Sequence, residues 1–152
     1  MATGTFHLTA TVDAPPERVI EFLLQLDGHR RLHPYLQSAR VVDEGADGDE
    51  RWWDWRVVER PRLWGIPYTM SFPARMTRVN ATSLRGDVVA APGCRLRTVT
   101  TATTTGAGTV VEEIAEVIAP RLLLGYMTKH ARLAHARTFS LLPAQFAAAQ
   151  PG

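Results

Sequence analysis

Three side chains are the best candidates for moving protons. Tyr126 and His130 lie in an apolar segment near the end of the chain, and Tyr68 lies in its middle. An imidazole can donate a hydrogen bond to a carbonyl group or act as a general base near pH 7. We predict that His130 lies on the apolar face of its helix, where it either contacts a ligand or is a satisfied core or boundary histidine. The core or boundary interpretation is favoured.

Three carboxylates lie close together in a later segment that alternates like a strand. Alternation places Glu112 and Glu116 on one face and Glu113 on the other. One face must be partly buried, so at least one carboxylate is unusual. It is either an acid with a raised pKa or the partner of a cross-strand arginine, Arg95 or Arg97. The ion-pair interpretation is favoured.

Metal and nucleophile signatures are weak. His29 and His33 have the spacing of a two-histidine metal site, but no third ligand follows at a matching distance. We therefore expect no metal and no cofactor. Phosphate loops, dinucleotide fingerprints and nucleophile elbows are absent from the sequence, so it leaves open whether the protein is an enzyme.

Composition limits the class of protein. The 152 residues suit one domain, and seventeen basic against fifteen acidic residues give a net charge of +2 without a nucleic-acid motif. The single cysteine, Cys94, allows no intrachain disulfide and suits a reducing cytoplasm. We expect no signal peptide, no membrane span and no nucleic-acid partner. The excess of Arg over Lys is typical of a GC-rich bacterial genome.

The N-terminal part is predicted to be a strand followed by two short helices. Residues 4–12 alternate apolar and polar side chains, as in a strand with one wet face. Residues 15–36 are predicted to hold the helices. Asp13 and two prolines signal the first, and the second, over 29–36, is stopped by Pro34.

The middle of the chain, residues 37–118, is predicted to be a run of strands separated by turns that contain glycine or proline. Pro73 interrupts one strand and suits an edge or a bulge. The predicted strands are 38–44, 51–60, 68–76, 82–91, 95–105 and 109–119, with a proline-glycine turn at 92–93.

Residues 121–141 are predicted to form one long helix after Pro120. A single helix that follows one continuous meander must lie on the sheet to bury its apolar face. This order predicts an α+β fold in which a curved sheet grips the helix and often encloses a space. The predicted apolar face carries Leu123, Met127, His130, Ala134 and Leu141.

Two local signatures resemble those of a known superfamily. They are the segment VDAPPERV at 12–19 followed by Phe22 and Leu23, and Glu112-Glu113-Ile114 followed by Pro120 and the helix with Tyr126 and His130. They resemble the first and last elements of the START-like, helix-grip superfamily. It includes the polyketide cyclase/dehydrase and lipid-transport families and the birch-pollen-allergen-like proteins. The resemblance covers essentially the whole chain.

This resemblance implies about seven antiparallel strands around the C-terminal helix, two short helices after the first strand, and an apolar pocket between sheet and helix. A single domain, 1–152, would bind a hydrophobic small molecule such as a lipid, a polyketide or an aromatic compound. Aromatic and methionine side chains suit such a ligand, although each alone is most often plain core. The predicted ligand-binding residues are Trp53, Trp55, Tyr68, Met70, Phe72, Met76, Leu84, Tyr126, Met127, His130 and Ala134.

Two alternative functions stay open. The first is a polyketide cyclase/dehydratase-like enzyme in which His130, Tyr126 or Tyr68 acts on a carbonyl group. The second is a protein-interaction factor with a filled core and an exposed apolar patch around Trp52 and Trp64.

Overall fold

The computed structural model describes residues 1–90 and 93–149. Ala91 and Pro92, predicted to end a strand and begin a turn, lie outside the described residues. The elements are β1 (Ala2–Val12), α1 (Pro16–Leu24), a 3₁₀ helix (Leu26–His29), β2 (Leu36–Asp47), β3 (Glu50–Glu59), β4 (Arg62–Leu63), β5 (Ile66–Pro67), β6 (Met70–Asn80), β7 (Ser83–Ala90), β8 (Cys94–Thr105), β9 (Gly108–Ala119) and α2 (Arg121–Ala149).

Seven of these strands form one antiparallel sheet in the order β1-β9-β8-β7-β6-β3-β2, and β4 pairs with β5 in a small hairpin. Successive strands of the meander are neighbours, and β1 joins beside β9, from the pair Ala2↔Ala119 to the pair Val12↔Thr109. The predicted α+β architecture, with seven strands and a long C-terminal helix, is confirmed.

Pro73 lies inside β6, where it pairs with Arg56 of β3. The recorded pairing of β6 with β7 begins only at Ala74↔Val88. Pro73 therefore lies where β6 has a strand neighbour on one side, which suits a residue with no backbone N–H.

Strand alternation divides the sheet into two faces. In β9 every second residue is buried, and we call the side of the sheet that carries these residues and packs against the helices the inner face. Its rows run across the sheet, as in Phe6↔Ala115↔Thr98↔Gly86↔Met76. The outer face carries charged pairs such as Arg75 with Asp54, whose Nε and Oδ1 atoms are 2.6 Å apart.

The two short helices differ from their predicted bounds. α1 begins at Pro16, which suits the first turn because it needs no N–H partner there. The second is a 3₁₀ helix at Leu26–His29 and not a helix over 29–36. Pro34 explains the difference, because it disfavours helical geometry at His33.

α2 packs on β1 and, over a smaller area, on β9, at one edge of the sheet. Leu124, Met127 and Ala131 pack there against Phe6 and its neighbours. Gly4 allows the close approach, since a Cβ atom at this position would lie 2.7 Å from the hydroxyl oxygen of Thr128.

The end of α2 extends beyond the predicted residue 141. Pro143 lies inside the helix and removes one backbone hydrogen bond. The following turn is nevertheless held, because Phe146 is buried and its ring lies 5.4 Å from that of Phe22 in α1. In the described part of the chain, no helix combines the length and apolarity needed to cross a membrane.

We predict that Gly4→Ala lowers the free energy of unfolding by about 1–3 kcal/mol, because the added methyl group forces α2 away from β1. Adding Thr128→Ala should restore most of the loss. Denaturant unfolding measures both variants, with Gly106→Ala as control, since a Cβ atom there meets nothing within 4 Å. An undiminished loss in the double variant would contradict this account of the interface.

Candidate functional site

A buried carboxylate and a histidine meet between the sheet and α2. Glu113 lies on the inner face of β9 and is only 7% exposed. Its Oε1 atom lies 2.5 Å from Nδ1 of His135 in α2, and its Oε2 atom accepts a hydrogen bond from the Thr100 hydroxyl at 3.4 Å. Both carboxylate oxygens therefore have partners.

The pair with Glu113 controls the charge of His135. Burial alone lowers the pKa of the imidazole, but the charge and hydrogen bond of Glu113 outweigh burial, and the charge of Glu59 adds to them. The net effect is a raised pKa. Because Nδ1 faces Glu113, Nε2 lies on the opposite side of the ring, and the side chain remains 28% exposed.

A second histidine–carboxylate pair joins the loop before β2 to the end of β3. Nε2 of His33 lies 3.2 Å from Oε1 of Glu59. The backbone N–H of Tyr35 donates to Nδ1 of His33 at 3.3 Å. Nδ1 must therefore carry a lone pair, and the proton of the neutral ring is on Nε2, where it is donated to Glu59.

The distance between His33 and Glu59 is that of an ordinary ion pair, but burial gives these two groups a different charge state. Burial raises the pKa of Glu59 to about 7, against an opposing effect of the charge on His135. Burial, with the charges of His135 and His29, lowers the pKa of His33 to about 4. At neutral pH the pair thus consists of a neutral imidazole and a carboxyl group that is close to the midpoint of its titration.

The two pairs are neighbours. The hydroxyl of Thr138, one turn after His135 in α2, lies 3.5 Å from the carbonyl oxygen of Leu32, the residue before His33. The charges of Glu59 and His135 each alter the pKa of the other group. We call the four side chains His33, Glu59, Glu113 and His135 the inner polar cluster.

Two tyrosines lie near the same end of β3. Partial burial raises the pKa of Tyr68, with further contributions from the hydroxyl of Tyr126 and the charge of Glu59. The ring of Tyr126 lies 4.1 Å from that of His130, one turn later in α2. These aromatic side chains link the segment before β6 to the N-terminal half of α2.

Trp55 supplies a buried donor with no hydrogen-bond partner among the described residues. The side chain is 5% exposed and lies on the inner face of β3. Its indole Nε1 makes no hydrogen bond to a described residue. An unpaired buried N–H costs about 1–3 kcal/mol, so an oxygen acceptor brought to it would stabilise the complex.

The structure brings most of the predicted ligand-binding residues to the inner face but leaves others exposed. Buried there are Trp55, Phe72, Met76 and Leu84, with Ala134 buried on α2. Trp53, Met70 and Met127 are half-buried, whereas Tyr68, Tyr126 and His130 are exposed.

The prediction that His130 lies on the packed face of the helix is wrong. Packing of Leu124, Met127 and Ala131 on β1 and β9 rotates His130 towards solvent and His135 towards Glu113. The favoured prediction that the buried carboxylate pairs with Arg95 or Arg97 is also wrong, because Glu113 pairs with His135. Arg95 instead pairs with Asp87, with Nε and Oδ1 2.7 Å apart.

The sequence reasoning overlooked Glu59 and His33 as a pair. Alternation through Trp53, Trp55 and Val57 would have placed Glu59 on the inner face, so a signal for its burial was present. The contact with His33 depends on how the loop before β2 folds, and no spacing rule predicts it.

The side chains of His29 and His33 do not converge on one metal site. Nε2 of His29 donates to the carbonyl oxygen of Phe22 at 3.0 Å, whereas that of His33 faces Glu59. Within the described residues, no three His, Cys, Asp or Glu side chains are grouped so as to hold a metal ion.

Two surface concavities lie away from the inner polar cluster. One, of about 650 Å³, is an open groove lined by α2 residues such as Leu124, Thr128 and Leu133. The other, of about 480 Å³, lies beside Pro15 and the β8–β9 turn. Neither is lined by a predicted ligand-binding residue or by a side chain of the inner polar cluster, so neither brings the candidate groups together.

Comparison with known proteins supports the fold. Neither a protein-family model nor a curated protein matches the sequence. Solved structures do match. The protein TTHA0849 from Thermus thermophilus has 18% identity and a TM-score of 0.73, over 97% of this chain and 100% of that one. The Zhui aromatase/cyclase from Streptomyces sp. R1128 has 17% identity and a TM-score of 0.68, over 91% and 92%.

A third match is the di-domain ARO/CYC BexL from the BE-7585A biosynthetic pathway, with 16% identity and a TM-score of 0.74. The alignment covers 98% of this chain and 51% of BexL, so the chain spans about half of that protein. At such identities the likeness shows the fold, and the predicted START-like helix-grip fold is confirmed.

We predict that Glu113→Gln lowers the pKa of His135, because burial then acts without the opposing carboxylate. NMR titration of the imidazole measures the change. The matched control is Glu112→Gln, since Glu112 lies on the outer face beside the exposed His7, at 3.2 Å from its Nε2. An unchanged pKa in Glu113→Gln would show that the carboxylate does not hold the proton on His135.

We also predict that Glu59→Gln changes how stability depends on pH. Because the folded-state pKa of Glu59 is raised from 4.5 to about 7, ionisation destabilises the native protein progressively as pH rises through that window. The full effect is about 3 kcal/mol. Relative to the parent, the variant should therefore gain free energy of unfolding between pH 4.5 and pH 8, measured by urea titration. A constant difference across this range would contradict the raised pKa.

Proposed function

We propose that the protein binds an apolar small molecule carrying an oxygen acceptor, in the space between the inner face and α2. The observation that carries this proposal is that large apolar side chains on the inner face and on α2 remain half-buried. Trp53, Met70 and Val88 pack at the margin of one buried cluster, while Leu96 and Met127 pack at the margin of another. A filled core would bury these side chains fully.

The polar groups of this region suit a ligand with an oxygen atom. Pockets for small molecules combine an apolar lining with a few polar groups that fix orientation. The unpartnered indole N–H of Trp55 and the hydroxyls of Tyr68 and Tyr126 are donors of this kind. Lipids, polyketides and aromatic ketones all carry a suitable acceptor, and a reducing cytoplasm fits the single buried thiol of Cys94.

The interaction-factor alternative has less support. Trp64 is 92% exposed at the tip of the β4–β5 hairpin, with a positive φ of 51°. Trp52 lies near the other end of β3, where Arg75 stacks on its ring at 4.0 Å. Seven residues of strand, about 23 Å, separate Trp52 from the end of β3, so the two tryptophans do not form one patch.

Binding can be tested with Nile red, an apolar fluorescent dye, and two adjacent substitutions. Val88 is a half-buried inner-face residue paired with Ala74 and Leu96, whereas Val89 is 47% exposed on the outer face. We predict that Val88→Trp fills the space and raises the dissociation constant at least about tenfold, since steric exclusion of this size exceeds about 1.4 kcal/mol. Val89→Trp should leave it unchanged.

Thermal unfolding would establish that both variants fold, and Met127→Trp tests the opposite wall of the same space. If the parent protein binds no dye, or if Val88→Trp and Val89→Trp bind equally well, the proposed site is wrong.

A further inference from the structure

The inner polar cluster is more than an apolar ligand requires. Burying ionisable groups costs several kcal/mol per group unless each is paired and hydrogen-bonded. Here two imidazoles and two carboxyl groups are placed together at the sheet–helix interface. A hydrophobic ligand would be held by the aromatic and aliphatic side chains alone, so the cluster calls for a chemical role.

His135 has the geometry of a supported acid. Nδ1 is fixed by Glu113, and Thr100 in turn holds the second oxygen of that carboxylate. This arrangement sets the orientation of the ring and stabilises its protonated form. Nε2, on the far side of the ring, is the atom able to give a proton to a ligand, and the 28% exposure of the side chain keeps the ring accessible.

Glu59 has the geometry of a supported base. His33 donates to its Oε1 atom, and the backbone N–H of Tyr35 fixes the tautomer of His33. The other carboxylate oxygen, Oε2, is left for a proton from a ligand. His33 is thus a positioning residue for Glu59, as Glu113 is for His135.

The acid and the base belong to facing elements. Glu59 lies on the inner face of β3, beside Met70 of β6, and His135 lies on α2. The Thr138–Leu32 contact holds this turn of α2 against the loop that carries His33. A ligand lying between the sheet and α2 would therefore have the base on its sheet side and the acid on its helix side.

We propose that Glu59 and His135 catalyse proton transfer at the carbon next to a carbonyl group, in an apolar ketone bound between the inner face and α2. The carboxylate of Glu59 removes the proton from carbon. The electron pair of that C–H bond forms the C=C bond, and the carbonyl oxygen takes the Nε2 proton of the His135 imidazolium. The products are an enol, a neutral imidazole and a protonated Glu59, and the reverse steps restore both residues.

The ionisation of the cluster agrees with these roles. His135 is faced by charged or titratable side chains of four elements and by the ring of Phe6 in β1. These side chains are Glu113 of β9, Glu59 of β3, His29 of the 3₁₀ helix and His33 of the loop before β2. The carboxylates raise its pKa and so favour the protonated form of the acid, while burial places the pKa of Glu59 at about 7. The rate should therefore rise through about pH 7 and fall once His135 loses its proton.

The inference rests on the proposed binding function, and one experiment separates the two. The probe is 2-tetralone, an apolar bicyclic ketone with acidic C–H bonds, dissolved in D₂O. Proton NMR follows the exchange of those hydrogens for deuterium, and saturation-transfer NMR on the same sample reports binding. Glu59→Gln and His135→Gln should each lower the protein-catalysed exchange about 10²-fold or more while 2-tetralone still binds.

Glu112→Gln and His7→Gln are the matched controls, because both residues lie exposed on the outer face, and both variants should exchange at the parent rate. Binding without exchange above the buffer rate would overturn the catalytic inference and leave the binding function intact. Failure to bind 2-tetralone by a protein that binds Nile red would also overturn it. Failure to bind either molecule would overturn the binding function itself.

Discussion

The position of α2 on β1 determines which side chains the interior receives. Gly4 lets the helix approach closely at Thr128, and the contacts of Leu124, Met127 and Ala131 with the β1–β9 edge fix its rotation. These contacts fix the rotation of α2, so that His135, one to three helical turns after them, faces Glu113. A helix turned by one residue would present a different histidine or none, because neighbouring positions differ by about 100°.

The same placement divides the core in two. One buried cluster joins α1 and the end of α2 to the central strands, and a second joins the start of α2 to β1 and β9. The half-buried aromatic and methionine side chains lie at the margins of these clusters, with the inner polar cluster between the sheet and the middle of α2. Apolar binding and proton transfer would thus depend on one packing arrangement.

The sequence predicts the strands well and the helix rotation poorly. Regular alternation, as in Thr109 to Ala119, defines both a strand and its buried face. α2 has apolar side chains on several sides, and two of them are among the most exposed, Leu122 at 98% and Leu133 at 57%. No single stripe therefore identifies its buried face, and His130 is mistaken for the inward histidine.

The partners of the buried carboxylates are beyond sequence reasoning for a related reason. Glu113 and His135 are 22 residues apart, and Glu59 and His33 are 26 apart, so neither pair follows from helix or strand spacing. Alternation can show that Glu59 and Glu113 point inward. The packing of α2 brings His135 to Glu113, and the folding of the loop before β2 brings His33 to Glu59.

The most direct test of this account is to locate a bound ketone by methyl NMR. Titration of 2-tetralone into protein with labelled methyl groups distinguishes the inner face from the open groove on α2. The account predicts shifts of the methyl signals of Met70, Val88 and Met127, on facing walls of the proposed site. Shifts confined to Leu124 and Leu133, which line the groove, would contradict it.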